Sequence, residues 1–221
     1  MNTHPFGQYL DTVRRALESV DAQELTTFLS LLEFAYLERS TVFVFGNGGS
    51  GATASHFCED LGKGTLEHAG VDHRFKVMSL TDNTPYILAW ANDHGYETVF
   101  EQQLRNFAEP GDLAIGISGS GNSPNVLRAI EYAKNAGLVT VGVTGFDGGK
   151  LRRMVHYGLH VPCTDMGIVE SVHVTLFHYA VTYLRNRVSE LNGRASVHAA
   201  RRAELSSVLQ LPYDQLQLQR F

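Results

Sequence analysis

The chain has 221 residues, 43% of them apolar, which is enough to bury one sizeable core. Its formal net charge of −5 argues against a protein that binds nucleic acid through positive charge. No apolar run approaches the roughly 18–20 residues of a membrane span, and the start does not resemble a signal peptide, so we expect a cytoplasmic protein without a membrane partner. Two cysteines, Cys58 and Cys163, are too few for a disulfide scaffold or a structural zinc site.

Two helices are predicted first. Apolar positions recur at helical spacing over residues 8–38, and the stretch from Asp21 to Glu24 is typical of a cap that separates two helices. Short strands rich in Val, Ile, Leu or Phe follow, with helical patterns between them, at about 41–45, 74–80, 112–117, 139–144 and 157–161. This alternation predicts an α/β fold with a parallel sheet covered on both faces.

The end of the chain carries two further helical patterns. A long apolar helix is predicted from Glu170 to about residue 186. After about residue 190 the pattern is that of an extra amphipathic helix, with Arg194, Arg201 and Arg202, followed by a polar end. We therefore expect one domain over residues 1–190 and a helical, polar tail over residues 191–221.

Two loops rich in glycine and serine follow the first and third predicted strands. The first reads Gly-Asn-Gly-Gly-Ser at 46–50, and the second reads Ser-Gly-Ser-Gly-Asn-Ser at 118–123. Each loop precedes a helical pattern. Its glycines let the backbone come close to a bound anion, and the first N–H groups of the helix favour negative charge there. Either loop alone could be a simple tight turn, but the pair predicts a phosphorylated ligand.

The first loop also matches the Gly-x-Gly-x-x-Gly pattern of dinucleotide sites, through Gly46, Gly48 and Gly51. Such a site expects an acidic residue about 20 residues later, at the end of a second strand. Glu67 lies near that distance, but it precedes the strand predicted at 74–80. We therefore interpret the loop as a phosphate site rather than a dinucleotide site.

Two helical segments carry closely spaced titratable side chains. His56 and Asp60 lie four residues apart, on one face of the helix that follows the first loop. Glu170 and His178 lie eight residues apart on the last long helix, with His173 near the edge of the same face. A histidine and a carboxylate on each of two helices indicate a divalent-metal site or an acid–base pair. The alternative is that the histidines are core residues and the carboxylates only complement helix dipoles.

Three motifs together resemble those of the sugar isomerase (SIS) domain family. They are Gly-Asn-Gly-Gly-Ser with the later Ser-His-Phe at 55–57, Asn-Asp-His-Gly-Tyr at 92–96, and Gly-Ile-Ser-Gly-Ser-Gly-Asn-Ser-Pro-Asn-Val at 116–126. Within the family the chain is similar to the phosphoheptose isomerases over about residues 8–190, including the turn Thr-Gly-Phe-Asp-Gly-Gly-Lys at 144–150. The resemblance implies a doubly wound five-stranded parallel sheet in flavodoxin-like order with two extra N-terminal helices. It also implies a homotetramer with sites at subunit interfaces.

The resemblance assigns site residues as well. Contacts with the phosphate would come from Asn47, Gly48, Gly49, Ser50, Ser118, Gly119, Ser120 and Ser123. Lys63 and Asp93 are further candidates for contact with the sugar, and the alternatives are a solvated surface lysine and a turn-forming aspartate. The implied metal ligands are His56, Asp60, Glu170 and His178, with zinc as the expected metal, and Asp60, Glu170 and His178 would be catalytic. The family has Glu and Gln where this chain has Asp60 and Glu170, and the branch has Arg where this chain has Gly64, next to Lys63.

The implied activity is aldose–ketose isomerisation through an enediol. The expected reaction converts sedoheptulose 7-phosphate into D-glycero-D-manno-heptose 7-phosphate, or acts on a closely related heptose or octose phosphate. Two alternatives stay open: a non-catalytic SIS protein that senses a sugar phosphate or binds a replication initiator, and another sugar-phosphate enzyme of the same fold. The histidines and carboxylates argue against a pure sensor, which needs the serine loops but no groups for proton transfer.

Overall fold

The computed structural model describes residues 5–66, 72–191 and 195–209. It begins with two helices, α1 (Pro5–Glu18) and α2 (Ala22–Glu38). The predicted cap between them is confirmed, because the Asp21 carboxylate accepts hydrogen bonds from the N–H groups of Gln23 and Glu24 at 2.7 and 3.1 Å. None of the helices within the described ranges is long and apolar enough to cross a membrane.

The described strands form a single parallel sheet. They are β1 (Thr41–Gly46), β2 (Lys76–Ser79), β3 (Leu113–Ser118), β4 (Val139–Thr144) and β5 (Tyr157–His160). Their order, β2-β1-β3-β4-β5, confirms the predicted α/β architecture and its flavodoxin-like order. The helices that connect them are α3 (Gly48–Gly64), α4 (Thr84–His94), α5 (Val99–Phe107), α6 (Pro124–Asn135) and the short α7 (Leu151–Met154), with a 3₁₀ turn (Tyr96–Thr98) before α5.

The sheet is buried on both faces. Along β1, Val42 and Val44 face one core, whereas Phe43 and Phe45 face the other, as the two-residue period of a strand requires. The first core contains side chains of α2, α3 and the long helix α8 (Met166–Leu191), and the second contains side chains of α5 and α6. Burial on both faces explains why the central strands are apolar throughout rather than alternating.

The two edges of the sheet differ. β2 is shorter than the predicted strand at 74–80 because its partner β1 begins at Thr41, which pairs with Lys76. Lys76 and Met78 are exposed. At the other edge, the backbone N–H of His160 in β5 donates to Glu24 Oε2 of α2 at 2.8 Å. The other oxygen of this carboxylate accepts a hydrogen bond from Arg152 at 3.1 Å.

The C-terminal region contains the predicted extra helix, α9 (Ala195–Leu209). It packs on α2, and its Leu205 and Leu209 side chains are buried. α8 extends to Leu191, five residues beyond the predicted end at about 186. The predicted polar end at 210–221, together with Arg194 and Glu67, lies outside the described residues.

Candidate functional site

The first loop lies at the carboxyl edge of the sheet, where β1 ends and α3 begins. Asn47 stands at the N-cap of α3 with an extended backbone (φ −106°, ψ 152°), but its side chain makes no capping hydrogen bond. The first N–H groups of α3 are therefore left uncapped by this residue, as a helix that binds an anion requires. The buried Ser50 adds a hydroxyl in the same turn. The geometry is that expected for a phosphate loop.

The second loop repeats this arrangement beside the first. Ser118 ends β3, Ser123 stands at the N-cap of α6, and their hydroxyl oxygens lie 3.0 Å apart. Ser123 makes no capping hydrogen bond either. Gly121 has φ +65°, and a Cβ at this position would lie 2.0 Å from the carbonyl oxygen of Gly148, so only glycine fits here. Since β1 and β3 are adjacent strands, the two loops are neighbours.

Two residues outside the predicted set connect these loops. The side-chain amides of Asn47 and Asn125 exchange two hydrogen bonds of 2.8 Å, and the Tyr96 hydroxyl donates to Asn47 Oδ1 at 2.8 Å. Both Tyr96 and Asn125 belong to motifs that carried the resemblance, but their spacing from Asn47 gives no sign of contact. Asn125 is buried, so its amide needs internal partners.

The second part of the site lies between α3 and α8. Asp60 Oδ2 is 3.4 Å from His56 Nε2 and 3.6 Å from His178 Nε2, and one ligand atom of each residue lies within 4.8 Å of the others. The two imidazole side chains are about half exposed, at 51% and 52%, so they are not core residues. Two ligands bound at about 2.1 Å to a tetrahedral zinc ion would lie about 3.4 Å apart. The three side chains therefore fit a divalent metal.

Glu170 lies apart from these three residues. A Cβ on Gly49 would come within 2.4 Å of Glu170 Oε1, so the carboxylate rests against the first turn of α3. Eight residues of α8, about 12 Å of helical rise, separate Glu170 from His178. The predicted ligand set of four is thus divided in this structure: His56, Asp60 and His178 come together, whereas Glu170 lies against Gly49 of the first loop.

α3 and α8 run side by side in the same direction. Glu170 lies against Gly49, the rings of Phe177 and Phe57 stack with centroids 4.2 Å apart, and Arg185 donates to the Gly64 carbonyl. The first loop and Glu170 therefore lie at one end of this helix pair, and the His–Asp–His cluster lies further along it. Gly49 and His56 are seven residues apart, or about 10 Å along the α3 axis. The two parts of the site are separated along the same two helices.

His173, unlike His56 and His178, is a buried core residue. It is 1% exposed, and its Nε2 lies 3.2 Å from the carbonyl oxygen of Thr144. Burial lowers the pKa of His173 to about 4, because the charged imidazolium loses its hydration. The residue is neutral near pH 7 and supports the packing of α8 on β4.

The remaining predicted contacts lie at the surface. Lys63 Nζ pairs with Glu59 Oε1 at 3.2 Å, and its side chain is 83% exposed. Asp93 is exposed near the end of α4, where its carboxylate accepts a hydrogen bond from Asn92. Beside Gly64, where the resemblance leads one to expect arginine, lies the guanidinium of Arg185, carried by α8 rather than α3.

The His–Asp–His cluster occupies a shallow groove. Its walls are Thr53 and Phe57 of α3 with Val174 and Phe177 of α8. A wider cleft of about 770 Å³ lies between α5 and α6, but its lining contains none of the predicted site residues. The converging side chains therefore lie in the shallow groove and not in the wider cleft.

The SIS domain model matches residues 8–145 of the chain. The phosphoheptose isomerase of Aquifex aeolicus (strain VF5) is 35% identical over 179 residues, which are 80% of this chain and 92% of that protein. The phosphoheptose isomerase of Helicobacter pylori (strain P12) is 36% identical over 174 residues, 78% of this chain and 88% of that protein.

Solved structures give a consistent result. The phosphoheptose isomerase of Neisseria gonorrhoeae superposes with a TM-score of 0.74 at 27% identity and covers 82% of this chain and 97% of its own. A phosphoheptose isomerase from Francisella tularensis has a TM-score of 0.76 at 22% identity, covering 82% of this chain and 96% of its own, which supports the fold alone.

Proposed function

The chain belongs to the SIS domain family, and we propose that it is an aldose–ketose isomerase acting on sedoheptulose 7-phosphate or a closely related heptose or octose phosphate. The product from sedoheptulose 7-phosphate is D-glycero-D-manno-heptose 7-phosphate. The observation that carries the proposal is the convergence of His56, Asp60 and His178 on α3 and α8, about 10 Å along α3 from the glycine- and serine-rich loop at its N-terminus. Relatives that align with four-fifths of the chain and are named phosphoheptose isomerases support it.

The two loops hold the phosphate. Uncapped N–H groups of α3 and the hydroxyls of Ser50, Ser118, Ser120 and Ser123 supply donors to the phosphate oxygens. Fixing this end places the sugar carbons along the α3–α8 groove. The reacting carbons then lie beside the His–Asp–His cluster, about 10 Å from the loop along α3. This separation favours a long phosphorylated chain over a short one.

The proton moves between C1 and C2. From the ketose, Asp60 removes a proton from C1 while His178 gives one to the C2 oxygen, which forms the enediol. Asp60 then returns its proton to C2 while His178 takes back the proton of the C1 hydroxyl, since the two side chains are near one another and both face the groove. Glu170 is the alternative carboxylate partner, for which its side chain would turn from Gly49 along α8. Lys63 and Asp93 stay as proposed contacts for sugar hydroxyls.

His56, Asp60 and His178 would hold a divalent metal, for which we propose zinc. With Nε2 of His178 as a ligand, the proton transfer of this ring would go through Nδ1. Glu170 would complete the set as a fourth ligand only after leaving the first turn of α3. A bound metal would polarise the carbonyl and hydroxyl oxygens of the sugar. The donor set of two imidazoles and one carboxylate suits zinc and leaves room for a substrate oxygen.

We also propose a cytoplasmic homotetramer with its sites at subunit interfaces. The shallow groove supports this assembly, because a neighbouring subunit would supply the wall that the described residues leave open. The free thiols of Cys58 and Cys163 agree with a reducing compartment.

The test is turnover of sedoheptulose 7-phosphate by the purified protein, followed by separation of ketose and aldose phosphates. We expect Asp60→Asn to lower kcat by at least about a hundredfold, because the base is lost. Glu59→Gln is the matched control, since Glu59 is the preceding residue and pairs with Lys63 at the surface. Metal content, measured by mass spectrometry, should fall in Asp60→Asn and remain in Glu59→Gln.

Chelation separates the metal from the fold. Activity that disappears with a chelator and returns with zinc supports the metal site, whereas activity insensitive to chelation removes the metal from the proposal. Unchanged turnover in both Asp60→Asn and Glu170→Gln would contradict the catalytic assignment. A protein that binds the sugar phosphate without converting it would be a sensor or an enzyme with another substrate.

A further inference from the structure

Asn47 stands at an N-cap but does not cap. An asparagine in this position normally accepts a hydrogen bond from the second or third N–H group of its own helix. Here the backbone has the extended conformation of an N-cap, and the Asn47 carbonyl already accepts from Gly51 N–H at 3.1 Å. Only the side chain departs from the usual arrangement. Something must therefore hold it away from the helix.

Asn125 provides that restraint. Its Oδ1 accepts a hydrogen bond from the N–H of Val126 at 3.0 Å, which fixes the orientation of its amide. Its Nδ2 must then face Asn47 Oδ1, and Asn47 Nδ2 must face Asn125 Oδ1; both contacts are 2.8 Å long. The Tyr96 hydroxyl donates to the second lone pair of Asn47 Oδ1 at 2.8 Å. The Asn47 oxygen thus has both acceptor sites occupied and cannot cap α3.

We propose that Asn125 is a positioning residue for the phosphate site. It holds the Asn47 side chain away from the first turn of α3, and this keeps the N-terminus of the helix open to the phosphate of the substrate. The inference rests on the proposed function for the identity of the substrate. Asn125 does not touch the phosphate in this role, since it acts through Asn47.

Loss of Asn125 has a defined consequence. A freed Asn47 side chain can turn onto the N–H groups of α3 and compete with the phosphate for them. We expect Asn125→Ala to raise the KM and the Kd for sedoheptulose 7-phosphate roughly tenfold, as for the loss of a hydrogen bond to a charged group. Kcat should change little, because the His–Asp–His cluster lies far along the groove. A split between KM and kcat is not expected of a general structural defect.

The experiment compares Asn125→Ala with Asn135→Ala. Asn135 is exposed at the end of the same helix, so its substitution controls for the removal of an asparagine side chain from α6. Binding of sedoheptulose 7-phosphate is measured by calorimetry, and inorganic phosphate serves as a competitor. If Asn125→Ala does not fold, Tyr96→Phe replaces it, because Tyr96 is 54% exposed and loses only the hydroxyl that donates to Asn47.

A double variant tests the route through Asn47. Asn47→Ala combined with Asn125→Ala should bind more tightly than Asn125→Ala alone, since Asn47→Ala removes the side chain that competes with the phosphate. Additive losses, or an unchanged Kd and KM in Asn125→Ala, would overturn the inference. A wild-type protein that binds neither sedoheptulose 7-phosphate nor inorganic phosphate would also overturn it.

The two proposals fail in different ways. A wild-type protein that binds the phosphate without turnover, with a weaker Asn125→Ala, would retain the inference and contradict the isomerase. Turnover by the wild type, together with an unchanged KM in Asn125→Ala, would support the isomerase and contradict the role of Asn125.

Discussion

Glu33 holds the C-terminal helix to the body of the protein. Its side chain, 1% exposed, accepts hydrogen bonds from Arg187 Nη2 at 3.0 Å and from Arg201 Nε and Nη2 at 2.9 and 3.0 Å. Glu33→Gln keeps the volume but removes the charge and places an NH₂ group where an oxygen accepted. At least one guanidinium N–H then faces another donor. We therefore expect a loss of stability.

The magnitude follows from burial. Breaking a fully buried ion pair by removing one partner costs about 3–5 kcal/mol. Arg187 and Arg201 keep 26% and 21% of their side-chain surface exposed, so each recovers part of its hydration when Glu33 is neutralised. The free energy of unfolding should therefore fall by about 2–3 kcal/mol.

Urea unfolding followed by circular dichroism at pH 7 measures this loss. Glu204→Gln is the matched control, because Glu204 pairs with the same Arg201 at 2.9 Å but is 60% exposed. An exposed pair contributes less than about 1 kcal/mol. If Glu33→Gln costs no more than Glu204→Gln, the buried carboxylate does not stabilise the docking of α9, and the reasoning is refuted.

The same carboxylate predicts a dependence on pH. Burial alone would raise the pKa of Glu33, but hydrogen bonds from Arg201 and Arg187 outweigh it and hold the pKa below its usual range. The unfolded chain therefore takes up the proton first on acidification. The contribution of Glu33 is fully present above the unfolded pKa of about 4.3 and is lost as the pH falls through the folded pKa. The difference between wild type and Glu33→Gln should shrink below about pH 4.

Three smaller perturbations test other parts of the structure. Asp21→Ala removes both capping hydrogen bonds of α2 and should cost about 1 kcal/mol in thermal unfolding, so an unchanged Tm would contradict the cap. Gly49→Ala places a methyl group 2.4 Å from Glu170 Oε1 and displaces the carboxylate. Initial rates with sedoheptulose 7-phosphate should then give a kcat/KM about tenfold lower than that of the wild type. An unchanged kcat/KM would show that Gly49 does not belong to the site. His173 has a pKa of about 4 in the fold and about 6.5 when unfolded, so its neutral form stabilises the protein above pH 6.5 and this contribution is lost as the pH falls towards 4. An NMR titration of the His173 ring with a midpoint near 6.5 would be inconsistent with its burial.

Much of the architecture could be predicted because its signals are local. Apolar runs that end in glycine or serine mark the strands and the loops, and the order of these elements indicates a doubly wound sheet. The pairing of His56 with Asp60 is local too, since four residues form one helical turn. His178 joins them because α3 and α8 run in the same direction, which spacing within either helix does not encode. For this residue the resemblance supplied what the periodicity could not.

Other contacts depend on the tertiary structure alone. Glu170 was expected beside His178, but its side chain turns to Gly49 on another helix. Asn47 and Asn125 are 78 positions apart, and no pattern in either loop indicates that their amides pair. The docking of α9 likewise depends on Glu33. In the sequence, nothing distinguishes this residue from a solvent-exposed glutamate on an apolar helix. Side-chain orientation across elements was the missing information in each case.

The carboxylate of Glu24 has a consequence for self-association. By accepting the outward N–H of His160, it occupies a position at which an extra strand would pair with β5. A strand that paired there would have to displace Glu24 from His160. The opposite edge is β2, a strand of four residues that carries the exposed Lys76, and a short charged edge is a poor template for intermolecular pairing. The sheet is thereby protected against open-ended growth at both edges, so copies of this chain are directed to associate through helices and loops rather than through strands.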